Sequence, residues 1–213
     1  MTKTKVSLRE KGSGVLGGIL AVVALVGIVF FYNLSRAYDA MKKFAVPSPA
    51  FQYFLDRKVL YFDGKEWRFL RKVEEQNMRM IQYVPAGQEH NIMETFYYSE
   101  GPALPPNNPF DTYLDNALKS SIAIFKHDCP DSGMNLLRKE KDFFMEDYYC
   151  KERNLYGLIA AAVVDGVSGS LSVEQKSDVD MSKMRAVWEQ RGRSLLLDGV
   201  WESLPSGNGE FKP

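Results

Sequence analysis

The chain predicts an α+β fold: a single N-terminal transmembrane helix followed by an antiparallel sheet domain with two packed helices. Three observations carry this reading. An apolar run without charge, Val15 to Tyr32, stands alone near the N-terminus. Short β-rich stretches follow it, separated by Asp-Gly and Pro/Gly turns. Two segments with apolar residues at three- and four-residue steps interrupt and close that series.

As a helix, residues 15–32 would measure about 27 Å, close to the hydrocarbon thickness of a bilayer. The length favours a retained anchor over a cleaved signal peptide, for which Ser35-Arg-Ala37 is the candidate cleavage site, and over a buried core helix. Residues 1–14 form a tail in which Lys3, Lys5, Arg9 and Lys11 outweigh Glu10. Downstream, Arg36, Lys42 and Lys43 lie further from the apolar edge, with Asp39 among them. This bias places the tail in the cytoplasm and the C-terminal bulk outside, which for a bacterial inner membrane is the periplasm. Gly14, Gly17, Gly18, Ala21 and Ala24 recur at three- and four-residue steps, as suits close helix packing; frequent glycine is also ordinary in membrane helices.

Residues 33–49 read as a stalk and linker that Pro47-Ser-Pro49 ends, because proline disfavours helix at itself and at the preceding residue. Residues 50–204 form the α+β domain. Lys58 to Phe62, Trp67 to Val73, Met78 to Val84 and Ile92 to Tyr98 read as four strands of a meander, with Asp63-Gly64 and Pro85-Ala-Gly87 as turns. In the third strand Met78, Met80, Gln82 and Val84 take one face, and Arg79, Ile81 and Tyr83 the other. Asn108-Pro109 opens a helix whose apolar face runs through Phe110, Tyr113, Leu114, Ala117, Leu118, Ser121, Ile122 and Phe125. Strands follow around Asn135 to Arg138 and Asp142 to Cys150. Leu155 to Val164 is nearly all apolar, as for a strand covered on both faces. Asp165-Gly166 turns the chain into Ser170 to Gln175, a more exposed strand. Ser177 or Asp178 caps a closing helix with Met181, Met184, Val187 and Trp188 on one face. Residues 205–213 read as a disordered tail. No internal repeat appears.

The 27 basic and 27 acidic residues cancel. Since the tail before Val15 is basic, the remainder is faintly acidic, which argues against nucleic acid as a partner. No nucleotide-binding loop, zinc-protease helix or serine-hydrolase elbow occurs, so no catalytic residue, metal ligand set or cofactor is assigned. His127-Asp128-Cys129 is the most reactive-looking stretch. A thiolate–imidazolium pair, or a zinc site with Cys150 and His90, competes there with a disulfide between Cys129 and Cys150. Outside the cytoplasm the disulfide is favoured.

Tyr83-Val-Pro-Ala-Gly-Gln88, with Asn91 and Glu94 shortly after, resembles small proteobacterial envelope proteins in which a Y-V-P-x-G-Q turn precedes an N-W-T-E-like strand. Ile92 and Met93 stand here where that pattern has Trp and Thr. The resemblance implies an envelope setting. The chain is therefore expected to be a non-catalytic single-pass protein whose periplasmic domain contacts other membrane or periplasmic proteins, as a subunit or accessory of a secretion or transport assembly, with self-association through the helix stripe possible in the same frame. The alternative expectation is an anchored enzyme or small-ligand-binding domain using the His127 region.

Overall fold

The structure is a computed structural model that describes residues 11–62, 64–108, 111–176, 188 and 191–197, with side chains from residue 24 onward. No proline interrupts the stretch Lys11–Phe44, and it forms one helix of 34 residues, α1. Among the described residues, no helix is long and apolar enough to cross a membrane; of the predicted span 15–32, the side chains of residues 15–23 lie outside the described ones. Of the small-residue stripe, Gly14, Gly17, Gly18 and Ala21 lie outside the described side chains, whereas Ala24 is exposed.

Pro47-Ser48-Pro49 ends α1, but it does not lead straight into strands. Ser48 is extended, its hydroxyl accepts the Phe51 amide at 3.1 Å, and Pro49 occupies the first turn, where its missing N–H leaves no bond unmade. A second helix, α2 (Pro49–Asp56), follows. Two prolines that read as a terminator are thus a stop and a start, and α2 is a helix beyond the two expected of the domain.

Among the described residues eight strands make one antiparallel sheet: β1 (Val59–Phe62), β2 (Lys65–Glu75), β3 (Met78–Pro85), β4 (Glu94–Pro102), β5 (Ser132–Lys139), β6 (Phe143–Cys150), β7 (Leu155–Val164) and β8 (Val167–Gln175). Their order is β1-β2-β3-β4-β8-β7-β6-β5. Each half is a four-stranded meander, and the halves join where β4 pairs with β8 from Glu94↔Gln175 to Pro102↔Val167. Strand order therefore repeats although the sequence does not. The strand expected to be more exposed, β8, lies at the centre, with Leu171 and Val173 buried. Its alternation reflects one face turned to the core, not an edge position. At the β7–β8 turn Asp165 and Gly166 both take positive φ (51° and 81°), the geometry a two-residue hairpin needs.

One face of the sheet carries the main core. α2 lays Phe51 and Phe54 over β3 and β4, with Phe54 stacked on Tyr98 at 4.7 Å between ring centres. The helical segment 191–197 lays Leu195 and Leu196 over the other half. Trp188 stacks on Phe96 at 5.7 Å and meets the edge of Phe62 within the same core. The opposite face holds α3 (Tyr113–Asp128), whose Leu114 packs on Phe144 and Ala161. α3 starts later than expected: Thr112 is its cap and forms a reciprocal capping box with Asp115. Pro109 and Phe110, the proposed cap residues Ser177 and Asp178, the helix-face residues Met181, Met184 and Val187, and the tail 205–213 lie outside the described residues. Cys129, the C-cap of α3, is disulfide-bonded to Cys150 at the end of β6, with Cα atoms 5.9 Å apart.

Candidate functional site

The joint between α1 and the domain is built around two buried charges. Arg79 on β3 and Glu100 on β4 are cross-strand partners on the core face. Arg79 is 5% exposed and Glu100 2%. Their Nε and Oε2 atoms meet at 3.1 Å as an ion pair. The Arg79 guanidinium also donates to the carbonyls of Phe44 and, at 3.0 Å, Val46, and lies 4.2 Å from the Phe44 ring centre. Glu100 Oε1 accepts from the Ser48 hydroxyl and, at 2.7 Å, from the Tyr98 hydroxyl. Arg79 thus holds the last turn of α1 and the linker, while Glu100 holds the first turn of α2. Burial first, and the Glu100 carboxylate next, push the Tyr98 phenol well above its ordinary range, so it remains a donor. A buried pair of this kind contributes less net stability than its short distances suggest, but it fixes geometry, because either charge alone would be uncompensated.

The joint is asymmetric along α1. Ala40 and Phe44 are buried, and Arg36 lies over the Tyr113 ring at 4.3 Å. By contrast Leu25, Val26, Ile28, Val29, Phe30, Phe31 and Tyr32 are exposed on every side of the helix. Beside the joint, a cavity of about 520 Å³ opens between the start of α2 and segment 191–197. Its floor comes from β4, β7 and β8 with small residues such as Ala162 and Gly169; Ala50, Val164, Val167 and Leu196 make the walls. Tyr98 and Glu100 stand at its joint side, and Asp165 at the β7–β8 turn.

The His127 region has a different character. His127 is 89% exposed at the side chain, with Nδ1 3.1 Å from Asp128 Oδ1. The Cys129 sulfur is bonded to Cys150, so no thiol is available to pair with the imidazole. His90 lies on an exposed loop. Among the described residues, no group of three or more His, Cys, Asp or Glu is placed to hold a metal ion.

A second polar cluster lies under α3. Glu146 on β6 is 1% exposed and accepts from the Ser121 hydroxyl at 2.9 Å. Burial, against the opposing Ser121 bond and with a smaller push from neighbouring Asp147, raises its carboxyl to about 7. On the same face Tyr148 donates to Glu174 across Gly157 at 2.6 Å. Burial, with the Glu174 carboxylate second, pushes its phenol well up.

Sequence reasoning missed Arg79 and Glu100. The available signal was a charge sharing a strand face with Ile81 and Tyr83, and another sharing one with Phe96 and Tyr98. Compared with known proteins, no family model matches the chain, and no curated protein is significantly similar to it.

Proposed function

We propose that this chain is a single-pass envelope protein, anchored through residues 15–32, whose α+β domain is held rigidly on its membrane helix and serves as a non-catalytic contact module. The observation that carries the reading is the contrast within α1. Its end is buried in the domain at Ala40 and Phe44, while Leu25 to Tyr32 expose apolar side chains all round. A helix on a water-soluble surface shows one apolar stripe; one that is apolar on all sides needs an apolar solvent, which a bilayer supplies. The Arg79–Glu100 joint then carries the domain without a flexible linker, about 18 Å beyond Tyr32 at the helical rise. The basic tail before Val15 supports a cytoplasmic N-terminus and an outer, periplasmic domain, where a disulfide is stable. Resemblance of residues 83–94 to small proteobacterial envelope proteins points to the same compartment.

The contact surface best suited to other membrane or periplasmic proteins is the β5 end of the sheet. Among the described residues β5 pairs with β6 alone, and Leu136 and Leu137 stand exposed on it, with Ile124 exposed on α3. Such an edge is a template for an incoming strand. Carbonate extraction of native membranes tests the anchor: the full chain stays in the pellet, and its release into the wash refutes it. A photoreactive residue at Leu136 tests the contact role: it captures a discrete partner in cells, and capture of nothing beyond the uncrosslinked chain refutes the assignment.

A further inference from the structure

We infer that the cavity beside the joint holds one acyl chain of a membrane phospholipid, with the headgroup left outside next to Lys43 and Asp165. This rests on the reading of α1 as a membrane anchor.

The inner surface leaves little for a polar ligand to recognise. Glu100 is the carboxylate buried at the cavity wall, and its oxygens are taken by Ser48, Tyr98 and Arg79. The remaining lining is Pro49, Ala50, Tyr53, Val164, Val167 and Leu196 over a floor with Ala162 and Gly169, mostly apolar surface. An occupant therefore gains by burying apolar surface and would lose by bringing unpaired polar atoms inside. The volume of about 520 Å³ suits a small ligand. The lining draws on α2, on segment 191–197 and on three neighbouring strands, which makes the space a groove between elements. An apolar groove lined from several elements accepts a flexible chain that can follow its walls.

The mouth supplies charge of both signs. Asp165 lines it at the β7–β8 turn. Lys43 of α1 reaches over Gly166 so closely that a Cβ there would lie 3.1 Å from its Cδ. A cation and an anion at one rim complement an amine–phosphate headgroup such as that of phosphatidylethanolamine. Lys43 also belongs to the helix that leads to the apolar run, so the slot opens beside the protein's own route to the bilayer. The lipid is bound out of the leaflet, above the membrane surface.

The test uses the full chain in vesicles of phosphatidylethanolamine and phosphatidylglycerol that carry a photoactivatable palmitoyl phosphatidylethanolamine, with labelled peptides mapped by mass spectrometry. Label is expected on residues 50–53 and 162–169 as well as on residues 15–32. Ala162→Leu fills the floor, and Val164→Phe narrows the mouth at a 45% exposed position that tolerates bulk. Each is expected to cut the cavity label by about tenfold or more while label on residues 15–32 stays unchanged. A melting curve accompanies each variant, so that an Ala162→Leu chain that fails to fold leaves the Val164→Phe result standing. Label confined to residues 15–32 overturns the inference. So does cavity label indifferent to Val164→Phe, and so does cavity label that appears only after residues 198–213 are removed, which would assign the slot to the chain's own tail. Carbonate extraction separates the two failures. Release from the membrane removes the anchor, whereas a retained chain without cavity label removes only the lipid site.

Discussion

Glu146 makes stability depend on pH in a direction opposite to that of most carboxylates. Its side chain is sealed between β6 and α3, and its carboxyl titrates at about 7 in the fold instead of the ordinary 4.5. The folded state therefore prefers the neutral acid. The stability that goes with the proton is fully present below pH 4.5, and it falls as pH rises through 7. Across that interval each step of one in pH costs up to about 1.36 kcal/mol, so the loss between pH 5 and pH 8 is about 2.5 kcal/mol, or about 5 to 10 °C of melting temperature for a chain of this size. Glu146→Gln keeps the volume and an acceptor for Ser121 but cannot ionise. The variant is expected to be close to the parent at pH 5 and more stable by about 2 kcal/mol at pH 8. Asp115, held low chiefly by Lys139, is ionised across this window and adds no slope. Urea denaturation of both proteins at several pH values measures the difference. Parallel stability profiles would refute the burial argument.

Three further perturbations follow from the same packing. Arg79→Ala leaves Glu100 buried without its cation and is expected to cost about 3 to 5 kcal/mol, while Arg79→Met with Glu100→Leu recovers most of that; urea midpoints of the two variants decide it. Cys129→Ser with Cys150→Ser opens a loop of sequence separation 21 and is expected to cost about 3 kcal/mol; a non-reducing mass that shows two free thiols in the parent would contradict the bond itself. Gly157→Ala places a Cβ 2.2 Å from the Tyr148 ring, so the ring must leave Glu174. A loss of about 1 to 3 kcal/mol in thermal denaturation is expected.

The parts of the fold legible in sequence are those set by neighbours in the chain. Asp165-Gly166 announces its hairpin because both residues tolerate positive φ, and Leu155 to Val164 announces a doubly covered strand because it has no polar face. The capped α3 was legible as a helix but not in its first turn, since Thr112 and Asp115 satisfy each other four residues after the Asn108-Pro109 signal. α2 was not legible. Proline after serine stops one helix and starts another, and only the amide that Ser48 caps distinguishes the two. The β4–β8 pairing and the Arg79–Glu100 joint were hidden for a different reason. Both join residues far apart in sequence, and nothing local in either strand names its partner. Of the residues first singled out for chemistry, the two cysteines are joined as expected in one of the alternatives, and His127 stands in solvent.

The junction of the two meanders also has a consequence in time. β4 is complete at Pro102, but β8 begins only at Val167, roughly 65 residues later. At about 5 to 20 residues per second, synthesis leaves the nascent first half waiting about 3 to 13 s with a row of unpaired amides and carbonyls along β4. During that interval nothing from the second half covers Phe96, whose stacking partner Trp188 arrives later still. The first four strands are thus a sticky half-product, and the last step of maturation is a zipper between distant segments. Productive folding depends on the nascent half being shielded until its mate emerges, and slowing synthesis between β4 and β8 should raise aggregation more than slowing it within either meander.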